Sequence, residues 1–227
     1  MGAGGYRERS GSKSAELAPT MPIDVDLVRA AFRDRAHRPA TLRGDERFAA
    51  VAAILRDRAG EAEVLLIRRA QKATDPWSGH MAFPGGRQDP SDRDLLHTAV
   101  RETREEVGLE LRPDLHLVGR LDDLPAVIRG NRVGLVIAPF VFAIENDPIL
   151  VPRTEEVEEV VWAQLSALAG GALDAKYGYQ FEGRTVELPS CDVGGRIVWG
   201  MTHRMLGALL AALDGVARES YAAKATP

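Results

Sequence analysis

The segment between Asp92 and Gly108 constrains this chain most, because it sets acid against the apolar side of a helix. Asp92 reads as the N-cap and Gly108 as the stop of a helix over residues 92–107. At about 100° per residue, Leu95, Leu96, Ala99, Val100, Thr103 and Val107 share one arc of about 140°. Glu102, Glu105 and Glu106 occupy a neighbouring arc of about 100°, and Glu106 lies inside the apolar edge. Glu102 stands i,i+3 from Glu105 and i,i+4 from Glu106, spacings at which like charges repel. A carboxylate held against a core edge is costly unless it is compensated.

Two readings of this helix are open. In one it is a solvated face neutralised by Arg101 and Arg104, with Arg101 pairing Glu105 at i,i+4. In the other a divalent cation relieves both penalties, and the hard oxygen ligands suit Mg²⁺ or Mn²⁺. The preceding Phe83-Pro84-Gly85-Gly86 favours the second. Gly85 and Gly86 permit positive φ and close backbone approach to a metal or a phosphate.

The rest of the composition narrows the field. A chain of 227 residues with 45% hydrophobic and 27% charged content can bury a core, which excludes a largely disordered protein. Its net charge of −4 shows no basic excess, so nucleic acid is not an expected partner. Cys191 is the only cysteine, which excludes an intrachain disulfide and a thiolate zinc site. No apolar run is long enough to span a bilayer, so no membrane partner is expected, and the reading is a cytoplasmic protein. Residues 1–20 read as a flexible tail, and 21–227 as a single domain with a core over about 45–165.

The elements expected are few. Pro22–Ala40 carries Val25, Val28, Ala31 and Phe32 at helical spacing, with Pro39 as its end. Phe48–Arg56 and Glu63–Arg69 read as hairpin strands around the Asp57–Glu61 turn. Leu115–Arg120 and Val133–Ile144 read as strands joined by a loop with Pro125 and Gly130. Val157–Trp162 is a further short strand or helix start, Ala172–Val198 holds short strands, and Thr202–Leu213 is a closing helix.

Residues 83–109 resemble the Nudix box, G-x5-E-x7-R-E-U-x-E-E-x-G-U, where U is apolar. Arg101, Glu102, Thr103, Arg104, Glu105, Glu106, Val107, Gly108 and Leu109 match its second half, with Thr103 in place of an apolar residue. The first half departs from the pattern: Asp92 stands for Glu, and eight residues rather than seven separate it from Arg101. The resemblance implies an α+β fold, an α/β/α sandwich around a mixed, curved central sheet. It implies a Mg²⁺- or Mn²⁺-dependent pyrophosphohydrolase acting on a nucleoside diphosphate linked to another group.

Carried over residue by residue, Glu102, Glu105 and Glu106 are implied as metal ligands, with the Gly86 carbonyl completing the shell. Glu105 is alternatively the residue that activates water, and Arg101 orients the carboxylates. Some family members recruit the general base from a later loop, and here Glu155, Glu156, Glu158 and Glu159 are the supply, Glu156 first. Arg69 is implied as a phosphate contact beside Gly85 and Gly86. Residues 64–86 and Trp199-Gly200-Met201-Thr202 are similar to the coenzyme A pyrophosphatase branch. The substrate is therefore coenzyme A or a derivative, with ADP-ribose, dinucleotides or oxidised nucleoside triphosphates as alternatives and a non-catalytic binding module as a third reading. A homodimer is left open. Trp77 is expected at the core edge, and His37, His97, His116 and His203 are assigned no chemistry.

Overall fold

A strand whose successive residues are all apolar has nowhere to put either face except inside the protein. Residues 50–55, Ala-Val-Ala-Ala-Ile-Leu, are such a run, and every one of them is buried. The computed structural model describes residues 22–72, 77–128 and 131–224. The tail expected over 1–20 and the loop glycine Gly130 lie outside them.

In chain order the first half comprises α1 (Val25–Phe32), β1 (Arg47–Arg58), β2 (Glu61–Arg69), β3 (Met81–Ala82), β4 (Gly85–Arg87) and α2 (Leu95–Val107). The second half comprises α3 (Pro113–His116), β5 (Leu117–Arg120), β6 (Leu124–Ile128), β7 (Asn131–Ile144), β8 (Val157–Gln164) and α4 (Leu165–Ala169), followed by β9 (Asp174–Phe181), β10 (Arg184–Asp192), β11 (Ile197–Trp199) and α5 (Gly200–Lys224). Among the described residues, eight strands form one sheet with the central path β3-β2-β1-β7-β5. The β1–β7 pair is parallel, with Ala50 opposite Ala138 and Ile54 opposite Phe142, and the other pairs are antiparallel. The sheet is therefore mixed, as the resemblance implies.

Strand alternation sorts the core into two layers. Val51, Ala53, Leu55, Val64 and Leu66 pack with Phe32 of α1 and Met205, Leu206, Leu209 and Leu213 of α5. Ala50, Ala52, Ile54, Leu65 and Ile67 pack with Ala99 and Val107 of α2 and with Phe140 and Phe142 of β7. Helices thus cover both faces of the sheet.

One irregularity makes room for the site. β2 pairs with β1 only over Glu61–Val64, and beyond that point its other edge continues along β8. The freed half of β1 takes β4 instead, with Ala50 opposite Gly86 and Val51 opposite Gly85. Ala52 N–H donates to the Pro84 carbonyl at 2.8 Å. The Gly-Gly turn is thereby built into the sheet, directly against α2.

Four expectations need correction. α1 stops at Phe32, well before Pro39, because the chain beyond it is held by the connection between β5 and β6: Arg38 and Ala40 N–H donate to the Asp122 and Asp123 carboxylates. The residue before a proline also disfavours the helical region. The stretch containing Pro125 is strand β6, which pairs with β7. Leu115 and His116 belong to the short helix α3, so the strand expected from Leu115 begins at Leu117. The N-cap of α2 is Asp94, whose carboxylate accepts from His97 N–H at 2.7 Å, and not Asp92. The hairpin turn is as expected: Ala59 and Gly60 carry φ of 56° and 81°, the pair of positive values that a two-residue hairpin turn requires.

Candidate active site

Freed from capping, Asp92 does other work. Its side chain is fully buried, and Oδ1 and Oδ2 accept from Arg101 Nε and Nη2 at 2.9 Å each. Thr98 Oγ1 and Asp89 N–H also donate to Oδ2, and His97 Nδ1 stands 2.9 Å from Oδ1. The Arg101 guanidinium, first among these partners, holds the Asp92 carboxyl far below the usual carboxylate range. Asp92 in turn pushes the guanidinium pKa up. His97 therefore has a partner that its sequence context did not suggest.

Arg101 distributes this order outward. Its Nη2 lies 2.9 Å from Glu102 Oε1, and its Nη1 donates to Glu105 Oε2 at 3.1 Å. A weaker bond at 3.3 Å reaches the Arg87 carbonyl, on the strand that carries Gly85 and Gly86. One guanidinium thus touches three carboxylates and ties α2 to β4.

Glu106 is the exception on this helix. It is 3% exposed, and Gly85 N–H donates to its Oε2 at 2.8 Å. Burial pushes its carboxyl up to about 8, against the Gly85 hydrogen bond, with the charges of Glu102 and Glu156 adding to the rise and Arg69 opposing it. Burial also raises Glu102, with Glu105 and Glu156 reinforcing and Arg101 opposing. Glu102, Glu106, Glu156 and Arg69 therefore act electrostatically on one small volume.

The two glycines differ in their reason for being glycine. Gly85 has a φ of 154°, and a Cβ there would sit 2.6 Å from Val51 Cα. Gly86 lacks a positive φ, contrary to expectation; a Cβ on it would overlap the Glu102 carboxyl group. Gly86 is a matter of space.

Among the acids of residues 155–159, Glu156 is the one whose charge raises both Glu102 and Glu106. Its carbonyl accepts from Ala70 N–H at 2.9 Å, which fixes it beside the end of β2, and Arg153 Nη1 lies 3.4 Å from its Oε1. Glu155 pairs with Arg153, Glu158 with Arg68 and Glu159 with Arg196. Arg153 is itself placed by its N–H, which donates to the Glu106 carbonyl at 2.9 Å. Glu105 is less enclosed, with its side chain 39% exposed. Trp77 is 39% exposed and does not pack at the core edge.

Among the described residues, no three carboxylates or imidazoles converge at ligating distance, because Glu102 and Glu105 are turned to Arg101. The donor set is nonetheless all oxygen, and the charges of Glu102 and Glu156 act on the buried Glu106 carboxylate against that of Arg69. That excess of negative charge, in hard donors, fits a Mg²⁺-type cation.

A family model described as the NUDIX domain matches residues 46–182, and the chain belongs to the Nudix family. Among curated relatives, an uncharacterized protein of Schizosaccharomyces pombe is 42% identical over 107 residues, 46% of this chain and 32% of that protein. The mitochondrial coenzyme A diphosphatase NUDT8 of Homo sapiens is 36% identical over 132 residues, 57% of this chain and 53% of that one. The chain thus spans about half the length of the human relative and a third of the yeast one. The crystal structure of a MutT/nudix family protein from Enterococcus faecalis matches the fold with a TM-score of 0.53 at 16% identity, covering 86% of this chain and 76% of that chain. Among the described residues, no helix is long and apolar enough to cross a membrane.

Proposed function

We propose that this protein is a Mg²⁺- or Mn²⁺-dependent pyrophosphohydrolase of nucleoside diphosphates linked to another group, and that coenzyme A or a CoA derivative is its substrate. The observation that carries the reading is the buried Glu106 carboxylate beside Glu102, Glu156 and Arg69, at a Gly-Gly turn that leaves no room for side chains. The coenzyme A diphosphatase named among the relatives supports the choice of substrate.

Glu102 and Glu106, with the Gly86 carbonyl and Glu105, would hold the divalent ions. When bound, such ions neutralise the diphosphate and make water a better nucleophile. The protein's own residues supply the rest. Arg101, itself held by Asp92, keeps Glu102 and Glu105 in place before substrate arrives. Arg69 offers a guanidinium to a substrate phosphate, for which its planar fork is matched. Glu156 takes a proton onto a carboxylate oxygen as water attacks phosphorus and the bridging P–O bond breaks, the second phosphate leaving with the bridging oxygen.

Product identification from a panel of coenzyme A, acyl-CoA, ADP-ribose, dinucleotides and oxidised nucleoside triphosphates, with Mg²⁺ and with Mn²⁺, tests the reading. Phosphopantetheine and a 3′,5′-bisphosphate nucleotide from coenzyme A are expected. Cleavage of ADP-ribose with coenzyme A untouched overturns the substrate, and no cleavage of any of them overturns the hydrolase.

A further inference from the structure

We propose that His80, Tyr177, Tyr179 and Trp199 form the surface on which the heteroaromatic base of the substrate stacks. The inference rests on the nucleoside diphosphate reading above and adds the element that reads the nucleoside.

The second sheet of the molecule is a three-stranded ribbon, β11-β10-β9. Trp199 lies opposite Ser190, and Ser190 opposite Ala175. Side chains alternate along a strand, so Ala175, Tyr177 and Tyr179 share the face that carries Trp199. The opposite face carries Cys191 and Val198, which join the core against α5. The ribbon is therefore attached to the body through its other side, and its aromatic face belongs to neither core layer.

That face is ordered. Tyr177 stacks on Trp199 with ring centroids 4.3 Å apart and planes 21° from parallel. Tyr179 lies 5.6 Å from Trp199 at 38°, and His80 meets the indole edge-on at 5.0 Å and 65°. All four side chains are half-buried, while Lys176, Gly178 and Gln180, which alternate with the two tyrosines, are exposed. Thr202 Oγ1, at the start of α5, donates to the Met81 carbonyl at 2.9 Å and so fixes Trp199 relative to His80.

The surface is continuous with the candidate active site. Arg69 N–H donates to the His80 carbonyl at 3.0 Å, and Gly79 N–H returns a bond to Arg69 at 3.1 Å. Arg69 is the cation that acts on Glu106. His80 thus pairs with Arg69 through the backbone where β2 and β3 run side by side, and its ring meets Trp199. A nucleotide with its diphosphate at Arg69 and the carboxylates extends its base toward these rings. Aromatic stacking of a base contributes about 1–3 kcal/mol, equivalent to roughly 5- to 150-fold in affinity. Rigid rings that already stack on one another lose little freedom when a base joins them.

The experiment compares W199L, Y177L and the conservative W199F with the unaltered protein, in Mg²⁺, on two substrates. One is coenzyme A, and the other is a diphosphate in which a methyl group replaces the nucleoside. In W199L the loss of kcat/KM on coenzyme A is expected to exceed the loss on the base-free diphosphate at least tenfold, mainly through KM, and W199F is expected to recover most of it. Equal losses on the two substrates overturn the proposal. Calorimetric binding of ADP and of inorganic diphosphate gives a second readout that needs no turnover. ADP binding weakened tenfold or more in W199L and Y177L, with diphosphate binding held within threefold, supports the surface even where no diphosphate is cleaved, in which case the hydrolase reading falls alone. Coenzyme A turnover with ADP binding unmoved in all three variants overturns the surface and leaves the hydrolase standing. Y177L and W199F keep both readouts available where W199L does not fold.

Discussion

Arg101 closes Nε and Nη2 on the two oxygens of the Asp92 carboxylate, each at 2.9 Å, across the turn that leads into α2. This fork is the anchor of the candidate site, because the same guanidinium extends to Glu102 and Glu105. A bidentate pair fixes orientation as well as charge.

Asp92→Asn should therefore cost both stability and turnover. Asp92 titrates lower in the folded protein than in the unfolded chain, where an aspartate titrates at about 3.9. The unfolded state then binds more protons in acid, so stability rises with pH. Asp92 contributes fully above about pH 5, and the contribution is lost as pH falls through and below about 4. Urea unfolding at pH 7 should show Asp92→Asn destabilised by about 3 kcal/mol, the usual scale for breaking a buried pair. The gap between variant and parent should narrow steadily toward pH 3. An equal gap at both pH values would falsify the ionic origin of the effect.

Glu106 has the opposite sign. Its folded-state carboxyl titrates at about 8, above the value of about 4.3 for an unfolded glutamate. Without divalent ions, stability should fall as pH rises between about 4.5 and 8 and then level off, because the folded state retains a proton that the unfolded chain has lost. Glu106→Gln should flatten this slope while lowering kcat by about 10²-fold or more. Addition of Mg²⁺ to the parent protein at pH 7 should release protons, measurable by calorimetry in buffers of different ionisation enthalpy.

The two glycines should fail differently. Gly86→Ala pushes against a side chain, the Glu102 carboxylate, and should lower kcat by roughly 10-fold or more with little change in Tm. Gly85→Ala pushes against the backbone of Val51 at 2.6 Å and forces a φ of 154° on alanine. It should lower Tm markedly. Thermal melts and steady-state kinetics on the same two samples separate the cases, and matched losses of stability would refute the distinction.

Glu156→Gln should reduce kcat by about 10²- to 10⁴-fold and leave KM close to the parent value. Glu155→Gln, whose partner is Arg153, should stay within a few-fold on both. If the two variants behave alike, Glu156 is not the base. Chelation of divalent ions should abolish turnover in the parent, with recovery on adding Mg²⁺ or Mn²⁺.

Much of this protein is legible in one segment of chain. The burial of Glu106, the αL stop at Gly108 (φ 69°) and the Glu102–Glu105–Glu106 spacing follow from a 3.6-residue repeat, which is a local property. The β1–β2 hairpin follows equally from its turn and its two apolar runs. The start of α2 was less legible, because Asp92 and Asp94 are both good caps and the choice went to the residue not claimed by Arg101. Glu156 could not be separated from Glu155, Glu158 and Glu159 by sequence, since all four are glutamates within five positions. The bond from Ala70 N–H to the Glu156 carbonyl, between segments far apart in the chain, sets Glu156 beside the end of β2, and it is the charge of Glu156 that acts on Glu102 and Glu106. Trp199, with Tyr177 and Tyr179 against it, meets His80 because the ribbon's β11 packs against β3. Sequence by itself determined which residues could bear charge beside an apolar face, because periodicity is written in neighbouring residues. Tertiary structure decided which of several equivalent side chains share a volume, because that depends on strand pairings whose partners lie tens of residues apart.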